Sequence, residues 1–454
     1  MRSSQPAAHR VVLLALPLML AAGVVALTRR EQPSPAVSLP AAEEQSAEQR
    51  SADPLVLARR LECLIRLGVK AWHDAGWRGQ GVKIAILDTG FRGYRAYLGR
   101  VLPANVTVRS FRSDGNLEAR DSQHGILCAE VVHAIAPDAE LLFANWDPDQ
   151  PEQFLAAARW AREQGVRVIS CSVIMPRASD GEGGGPANAE LARILGPGHQ
   201  PGDLLCFASA GNTAQRHWSG PFCDGGDGFH AWRAGQTANG VTPWGAERVA
   251  VELYWQPGPD YDLIVDDVTG QREVGRSAAC TGVERTAAVV RFLPEAGHAY
   301  QVRVRLARGS GGRFHLTALA ANLDHATAPG SVAFPADNPR VLAMGAVDAD
   351  GRRMAYSACG PNSPRPKPDL VAPVPFVSLW RARPFAGTSA ASPQASAMAA
   401  LWWSRHPDRT AAQVRTALRR HAADLGPAGH DFETGYGRVT LPPPKSPMTQ
   451  PTTR

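Results

Sequence analysis

Short runs of apolar residues alternate along much of the chain with segments of helical periodicity. The apolar runs cover 82–87, 139–144, 166–172, 204–208 and 341–347. Helical periodicity is found at 125–135 and 152–164, between the runs. Strands that are apolar on both faces and separated by helices are typical of a parallel sheet covered by helices. The pattern therefore predicts an α/β fold.

This alternation is interrupted between residues 217 and 327. Apolar side chains recur at every second position in 249–255 and again in 300–306, and turn residues such as Pro257-Gly258-Pro259 separate such stretches. A period of two without a helical period indicates short antiparallel strands. Because the α/β pattern resumes at 341, we predict an all-β sandwich inserted into the α/β fold.

Residues 1–30 have the composition of an export signal. Arg2 and Arg10 precede an uncharged apolar run of 17 residues at 11–27, which Arg29 and Arg30 follow. This length is long for a signal peptide and short for a membrane span, so a cleaved signal and an uncleaved N-terminal anchor both stay open. In either case we expect the protein outside the cytoplasm, either secreted or in the periplasm or cell envelope. If the N-terminal segment is not cleaved, we expect it to anchor the protein to the membrane.

The predicted domain boundaries follow these changes in pattern. Residues 31–54 are rich in Pro, Ala, Ser and Glu and are predicted to be a disordered linker, and 441–454 a disordered tail. The α/β part is predicted to comprise 55–216 and 328–440, on either side of the insert at 217–327.

Composition excludes some functions and leaves one question open. The 454 residues carry a formal net charge of +6, but no block of Lys and Arg is interleaved with aromatic residues, so nucleic acid is not an expected partner. The seven cysteines form no CxxC pair and no zinc-binding spacing. Cys223 and Cys280 are able to form a disulfide in an exported protein, although connectivity cannot be read from sequence.

Three polar residues lie where predicted strands end or a predicted helix begins. Asp88 follows the strand at 82–87, His124 precedes the helix at 125–135, and Asn212 follows the strand at 204–208. Ligands of open α/β sheets bind outside the carboxyl ends of the strands. Each residue taken singly is better explained as a turn or surface residue, but together they are the residue types that acyl transfer requires.

A fourth candidate lies in the segment 387–393, Gly-Thr-Ser-Ala-Ala-Ser-Pro. Small neighbours leave the hydroxyl of Ser389 accessible, just before an Ala-rich helical run at 395–403. The N–H groups at a helix N-terminus suit a developing oxyanion. Pro393 is tolerated in a first helical turn, which predicts that the helix begins close to it. Taken alone, Ser389 is as well explained as a helix cap.

Four segments together resemble the signature of the subtilisin-like serine proteases. They are Ile-Leu-Asp-Thr-Gly at 86–90, His-Gly at 124–125, Ala-Gly-Asn at 210–212, and 387–393. The resemblance covers 82–216 and 328–440 and ends at 435–439, which is similar to the closing strand of that family. It implies a three-layer sandwich with a central parallel sheet. The insert resembles the jelly-roll domains of secreted proteases, chiefly at 261–263, and we hypothesise that it restricts or recruits substrate.

The resemblance implies a role for each candidate residue. Ser389 would attack the scissile carbonyl, His124 would accept and return its proton, and Asp88 would orient His124. Asn212 and the backbone N–H of Ser389 would bind the oxyanion. The segment 170–174 resembles the strand that pairs with the substrate backbone.

The residues that the resemblance implies for substrate binding are Ser172, Val173, Ile174, Ala210, Gly211 and Ala333. Bulkier apolar residues stand at several of these positions where the family has glycine, so we expect a shallow pocket for small or medium apolar side chains. The expected protein is an exported, monomeric serine endopeptidase acting on proteins or peptides through an acyl-enzyme intermediate. The alternative is a catalytically silent subtilisin-like scaffold that binds peptides or surface partners.

The resemblance implies no cofactor for the chemistry. A structural calcium ion is compatible with the family, but its ligand positions are not recognisable in this sequence.

Overall fold

A seven-stranded parallel sheet lies at the centre of the structure, a computed structural model that describes residues 53–278 and 286–444. Its strands, numbered in chain order, are β1 (Lys83–Leu87), β2 (Thr107–Ser110), β3 (Glu140–Asn145), β4 (Val168–Cys171), β5 (Leu205–Ser209), β15 (Leu342–Val347) and β16 (Leu370–Pro373). They lie in the order β16-β15-β5-β4-β1-β3-β2, and each neighbouring pair is parallel. The parallel sheet predicted from the apolar runs is confirmed.

Helices cover both faces of this sheet. They are α1 (Pro54–Arg66), α2 (Val69–Asp74), α3 (His124–Ile135), α4 (Pro151–Glu163), α5 (Pro186–Leu195), α6 (Thr388–Arg405) and α7 (Ala411–His421). One apolar core joins α3, α6 and α7 to one face of the sheet, and a second core joins α4 and α5 to the other face. The predicted three-layer α/β sandwich is therefore confirmed.

Helix α6 begins earlier than the sequence predicted. It starts at Thr388, so Pro393 lies inside the helix instead of in its first turn. Since proline has no N–H, the carbonyl of Ser389 lacks its donor four residues later. The hydroxyl of Ser172 supplies that donor at 3.1 Å. The proline is tolerated because another segment of the chain satisfies the freed carbonyl.

In the described residues between 217 and 323, nine strands form two antiparallel sheets. They are β6 (His217–Pro221), β7 (Asn239–Pro243), β8 (Val249–Trp255), β9 (Asp260–Asp267), β10 (Arg272–Ser277), β11 (Ala287–Phe292), β12 (Tyr300–Arg308), β13 (Arg313–Leu319) and β14 (Ala321–Leu323). The strand orders are β10-β9-β12-β7-β14 and β11-β8-β13-β6, with a separate apolar core formed by both sheets. These sheets fit the predicted all-β insert. All described residues belong to one compact unit.

The ends of the described chain modify three expectations. Pro54, which was placed in the linker, begins α1. Leu441 and Pro442, which were placed in the disordered tail, are held by hydrogen bonds to Leu67 and to the indole of Trp72. The segment 435–439 forms an isolated bridge to β16, instead of a strand of its own.

Several predictions concern residues outside the described ranges. The predicted signal at 1–30, most of the linker, the tail beyond residue 444 and Cys280 all lie there. Within the ranges that the structure describes, we find no helix with the length and apolar character needed to cross a membrane.

A buried carboxyl group gives the stability of the protein a pH dependence. Asp337 is fully buried and accepts hydrogen bonds from Ser179 and from Asn188 on α5, and its Oδ1 has no partner within the described ranges. Burial raises the pKa of Asp337 from 3.8 to about 7. A carboxyl whose pKa is raised on folding stabilises the protein at low pH, and this contribution is lost as pH rises through the folded-state pKa.

Between pH 5 and pH 8 we expect Asp337 to remove about 2–3 kcal/mol from the free energy of unfolding. The Asp337→Asn variant should lack this decline, as measured by urea unfolding at both pH values. The exposed Asp408 provides the control, because Asp408→Asn should retain the pH dependence of the wild type. Parallel pH profiles for Asp337→Asn and wild type would contradict the assignment.

Candidate active site

Asp88 and His124 form a hydrogen-bonded pair at the carboxyl end of β1. Asp88 is fully buried, and its Oδ1 accepts hydrogen bonds from the backbone N–H groups of Thr89 at 2.8 Å and Gly90 at 3.0 Å. Its Oδ2 is left to accept from Nδ1 of His124, at 2.7 Å. A Cβ at position 90 would lie 2.9 Å from the backbone nitrogen of His124, so only glycine allows this approach.

The charge of Asp88 determines the protonation behaviour of His124. Burial is the largest single influence and lowers the pKa of His124, but the charge and hydrogen bond of Asp88, together with the adjacent Cys128, outweigh it and raise the pKa well above the ordinary value of 6.5. The hydrogen bond holds the proton on Nδ1 in the neutral ring. Nε2 is then free to act as a general base.

Ser389 lies in the first turn of α6 and is 9% exposed. Its Oγ donates to the backbone carbonyl of Ser172 at 3.4 Å. Among the described residues, no hydrogen bond joins this hydroxyl to His124. Catalytic hydrogen bonds are often long or absent without substrate and tighten when the substrate binds.

Cys128 shows how closely the three candidates converge. It lies one turn after His124 on α3, and its Sγ is 3.9 Å from Nδ1 of His124. The same sulfur is 3.7 Å from Oδ2 of Asp88 and 3.8 Å from the backbone carbonyl oxygen of Ser389. The strand end, the helix α3 and the helix α6 therefore bring these residues around one buried thiol.

Asn212 caps α6 from outside the helix. Its Oδ1 accepts from both the backbone N–H and the Oγ1 of Thr388, at 3.0 Å each. These two bonds orient the amide, so that Nδ2 faces Gly387, where a Cβ would lie 2.9 Å away. The N–H of Ser389 is one of the first in α6 and has no partner within the helix. Asn212 Nδ2 and this N–H are two donors suited to an oxyanion.

The residues predicted to bind substrate lie on three segments beside Ser389. These are Ser172, Val173 and Ile174 after β4, Ala210 and Gly211 after β5, and Ala333. The side chain of Ile174 lies next to Gly211, and the N–H of Ala333 donates to the carbonyl of Ala210 at 3.2 Å. Val173 packs instead against the apolar core between the sheet and helices α4 and α5.

The predicted substrate strand is shorter than the segment 170–174. Ser170 and Cys171 belong to β4 and pair with β1 on one side and β5 on the other. Their backbone groups are therefore not available to a peptide. Only 172–174, beyond the end of β4, is left to pair with a substrate backbone.

Three neighbours of the site were not predicted. Cys128 follows His124 by four residues, a spacing that places both on one helix face and is visible in the sequence. The ring of Phe385 lies edge-to-face against His124, with centroids 5.5 Å apart. The hydroxyl of Tyr356 accepts from the N–H of Gly387 at 3.2 Å. Nothing in the local sequence indicates the last two contacts.

In the part of the chain that the structure describes, two groups of side chains have potential metal-ligand atoms close together. They are Asp88, His124 and Cys128, and Asp267, Glu295 and His298. In each group the aspartate and the histidine are joined by a hydrogen bond, of 2.7 Å and 2.8 Å respectively. These contacts account for both arrangements without a metal, and a structural calcium ion stays an untested expectation.

A carboxylate–histidine pair, a serine at a helix N-terminus and an adjacent amide donor, on the carboxyl edge of a parallel sheet, define the class of serine peptidases. A family model described as the subtilase family matches residues 79–237 and 297–437. The chain belongs to the subtilase family.

Individual relatives match parts of the chain. Subtilisin E of Bacillus subtilis strain 168 is 33% identical over 132 residues, which cover 28% of this chain and 32% of that protein. Subtilisin-like protease PopC of Myxococcus xanthus is 35% identical over 118 residues, or 24% of this chain and 25% of PopC. The chain thus spans about a third or less of the length of these curated relatives.

Among solved structures, the CspB protease of Clostridium perfringens has the same fold. Its TM-score is 0.58 at 15% identity, over 82% of this chain and 94% of CspB. A lanthipeptide protease matches with a TM-score of 0.50 at 17% identity, over 87% of this chain and 96% of that one. Both similarities concern the fold alone.

Proposed function

We propose that the chain is an exported serine endopeptidase that hydrolyses peptide bonds through Asp88, His124 and Ser389. The observation that carries this proposal is the 2.7 Å Asp88–His124 hydrogen bond, with Ser389 held beside the pair by the α6 N-terminus. Membership of the subtilase family supports the reaction class. The relatives include a protein named minor extracellular protease Epr, from Bacillus subtilis, which supports export together with the pattern at 1–30.

In the proposed reaction Ser389 Oγ attacks the scissile carbonyl carbon while Nε2 of His124 takes the hydroxyl proton. Asp88 stabilises the imidazolium that forms, without itself taking up the proton. Asn212 Nδ2 and the N–H of Ser389 donate to the oxyanion of the tetrahedral intermediate. His124 then protonates the leaving amine as the carbon–nitrogen bond breaks, and water hydrolyses the acyl-enzyme by the reverse sequence of proton transfers.

Substrate binding is proposed for the segments around Ser389. The backbone of 172–174 would pair with an extended peptide, and Ala210, Gly211 and Ala333 would form the walls of the pocket for the residue before the scissile bond. Ile174 lies next to Gly211, so a shallow pocket for small or medium apolar side chains is proposed. We propose a monomer that acts on proteins or peptides and needs no cofactor for the chemistry.

Labelling with a fluorophosphonate probe tests the proposed function. The probe reacts only with a serine that an adjacent base activates, so the native protein should be labelled and the Ser389→Ala variant should not. The catalytically silent scaffold, the alternative class, gives a folded protein without labelling. That result would overturn the proposed function.

The pKa of His124 predicts the pH dependence of the reaction. Only the neutral imidazole accepts the serine proton, so activity rises with pH through the pKa of His124. Since Asp88 raises this pKa, we expect the acid limb of the kcat/KM profile to have its midpoint above 6.5. The exposed Asp121 provides the control, because Asp121→Asn should leave the midpoint unchanged. A wild-type midpoint at or below 6.5 would contradict the role of Asp88.

A further inference from the structure

A pocket of about 400 Å³ opens beside Asn212, the proposed oxyanion donor. Its lining includes Asn212, Gly387 and Tyr356 from the α/β part, Arg216 just before β6, and Trp244 and Asn322 from the insert. We call it the Arg216 pocket. It adjoins the segment that carries Ser389, because Gly387 lies two residues before that serine.

Arg216 is held in this pocket in a fixed position. Its Nε donates to the backbone carbonyl of Asn212 at 2.8 Å, and its Cζ lies 4.6 Å from the centre of the Trp244 ring. The indole N–H of Trp244 in turn donates to Asn322 Oδ1 at 3.0 Å. The insert therefore fixes the guanidinium next to the proposed oxyanion site.

Arg216 lacks an acidic partner within the described part of the chain. Several arginines of the neighbouring insert have one, such as Arg303, whose Nε is 2.7 Å from Oδ2 of Asp266. Burial lowers the pKa of Arg216 to about 10, so the group stays cationic at neutral pH. Arg216 is partly exposed and lines the pocket, and within the described residues no hydrogen bond is found for its two terminal nitrogens. A half-buried cation without a counter-charge favours an anionic ligand.

The position of the pocket determines which half of a substrate reaches it. In the proposed binding mode, the half before the scissile bond would lie over 172–174 and Ala210-Gly211. The leaving half would then lie on the other side of Ser389, near His124, which would protonate it. Phe385 packs against His124, and the chain continues from Phe385 to Ala386 and Gly387, which line the pocket, so the pocket is assigned to the leaving half.

We propose that the Arg216 pocket binds a carboxylate in the leaving half of the substrate. The carboxylate belongs either to an acidic side chain within the first residues after the scissile bond or to the free C terminus of a short leaving peptide. Arg216 is then a specificity residue, and the insert selects substrates by supplying Trp244 and Asn322. The proposal rests on the proposed peptidase function.

Matched peptides with one acyl half test this selection and separate the two sources. In the first pair, Glu replaces Gln at each of the first three positions after the bond, in peptides with amidated ends. In the second pair, the leaving half is a dipeptide with a free or an amidated C terminus. We expect wild type to cleave the carboxylate member of at least one pair about 10- to 100-fold faster in kcat/KM, with the effect mainly in KM. This preference should weaken as salt is raised.

Arg216→Gln should abolish the preference, so that kcat/KM for the carboxylate peptides falls about 10- to 100-fold relative to that for the neutral peptides. Arg216→Lys, which retains the charge, should keep part of the preference and controls for structural disturbance at Asn212. Arg233→Gln removes an exposed arginine of the insert. It should change neither the carboxylate preference nor kcat/KM for the neutral peptides.

Two results would overturn the proposal. In the first, wild type cleaves both members of each pair equally. In the second, the preference persists in Arg216→Gln. If the protein is labelled by the fluorophosphonate and cleaves the neutral peptides in either case, the peptidase function stands and only the carboxylate site fails. If the protein is neither labelled nor active on any peptide, both proposals fail.

Discussion

Replacing Ser389 with alanine is expected to lower kcat by about a million-fold, which leaves only the rate supplied by binding and the oxyanion donors. The reason is that the change removes the single atom that forms the acyl-enzyme. Ser389 Oγ makes one hydrogen bond of 3.4 Å, to Ser172, so its loss should cost about 1 kcal/mol of stability or less. Steady-state hydrolysis of a peptide and thermal unfolding of the same sample measure both effects.

The same helix offers a matched control. Ser392 is fully buried in α6, and its Oγ has no hydrogen-bond partner among the residues that the structure describes. A buried hydroxyl without a partner costs stability, so its removal is neutral or stabilising, and Ser392→Ala should fold and keep wild-type kcat. The pair therefore separates loss of the nucleophile from a small change in helix packing.

A double variant tests whether Ser389 and His124 act in the same step. Ser389 and His124 act in one step, so the Ser389→Ala/His124→Ala enzyme should be no slower than Ser389→Ala alone. A further loss of several hundred-fold in the double variant would mean that His124 has another function. Measurable acyl-enzyme formation in Ser389→Ala would rule out the assigned nucleophile.

The fold was predictable because parallel strands that are buried on both faces appear in the sequence as continuous apolar runs. The runs at 82–87 and 341–347 correspond to β1 and β15 within one residue at either end. The start of α6 was missed because Pro393 was expected to mark a first turn. The hydroxyl of Ser172 is distant in sequence, so local patterns could not predict that it donates to the Ser389 carbonyl that the proline leaves free.

The main residues of the candidate site could be predicted from the sequence, whereas the contacts that support them could not. Asp88, His124, Asn212 and Ser389 follow strand ends or begin helices, so sequence patterns bring them to one edge of a sheet. Their supporting contacts are long-range. No local signal places Tyr356 against Gly387 or the ring of Phe385 against His124.

The Arg216 pocket could not be predicted from the sequence. Arg216 and Trp244 are separated in the chain by β6, β7 and the loop between them, and neither has a neighbour in sequence that suggests a site. The missing counter-charge of Arg216 is a property of the folded protein. In the sequence Arg216 is one of many arginines in a chain of net charge +6.

Replacing Asn212 with alanine is expected to lower kcat by about 100- to 1,000-fold with little change in KM. The Nδ2 donor acts on charge that exists only in the tetrahedral intermediate and the transition states around it. Removing it should therefore affect the chemical step more than substrate binding. Peptide hydrolysis over a range of substrate concentrations separates the two constants.

Asn212 also caps α6, and a second variant is needed to separate the two roles. Its Oδ1 accepts from Thr388, so Asn212→Ala should lose about 1 kcal/mol of stability as well as activity. Asn212→Asp retains the accepting oxygen and replaces the donor with a second acceptor. We expect Asn212→Asp to unfold at the wild-type temperature while kcat falls at least as far as in Asn212→Ala. If Asn212→Asp instead kept wild-type kcat, the residue would serve catalysis only by holding the helix that carries Ser389, and the oxyanion would depend on backbone donors alone.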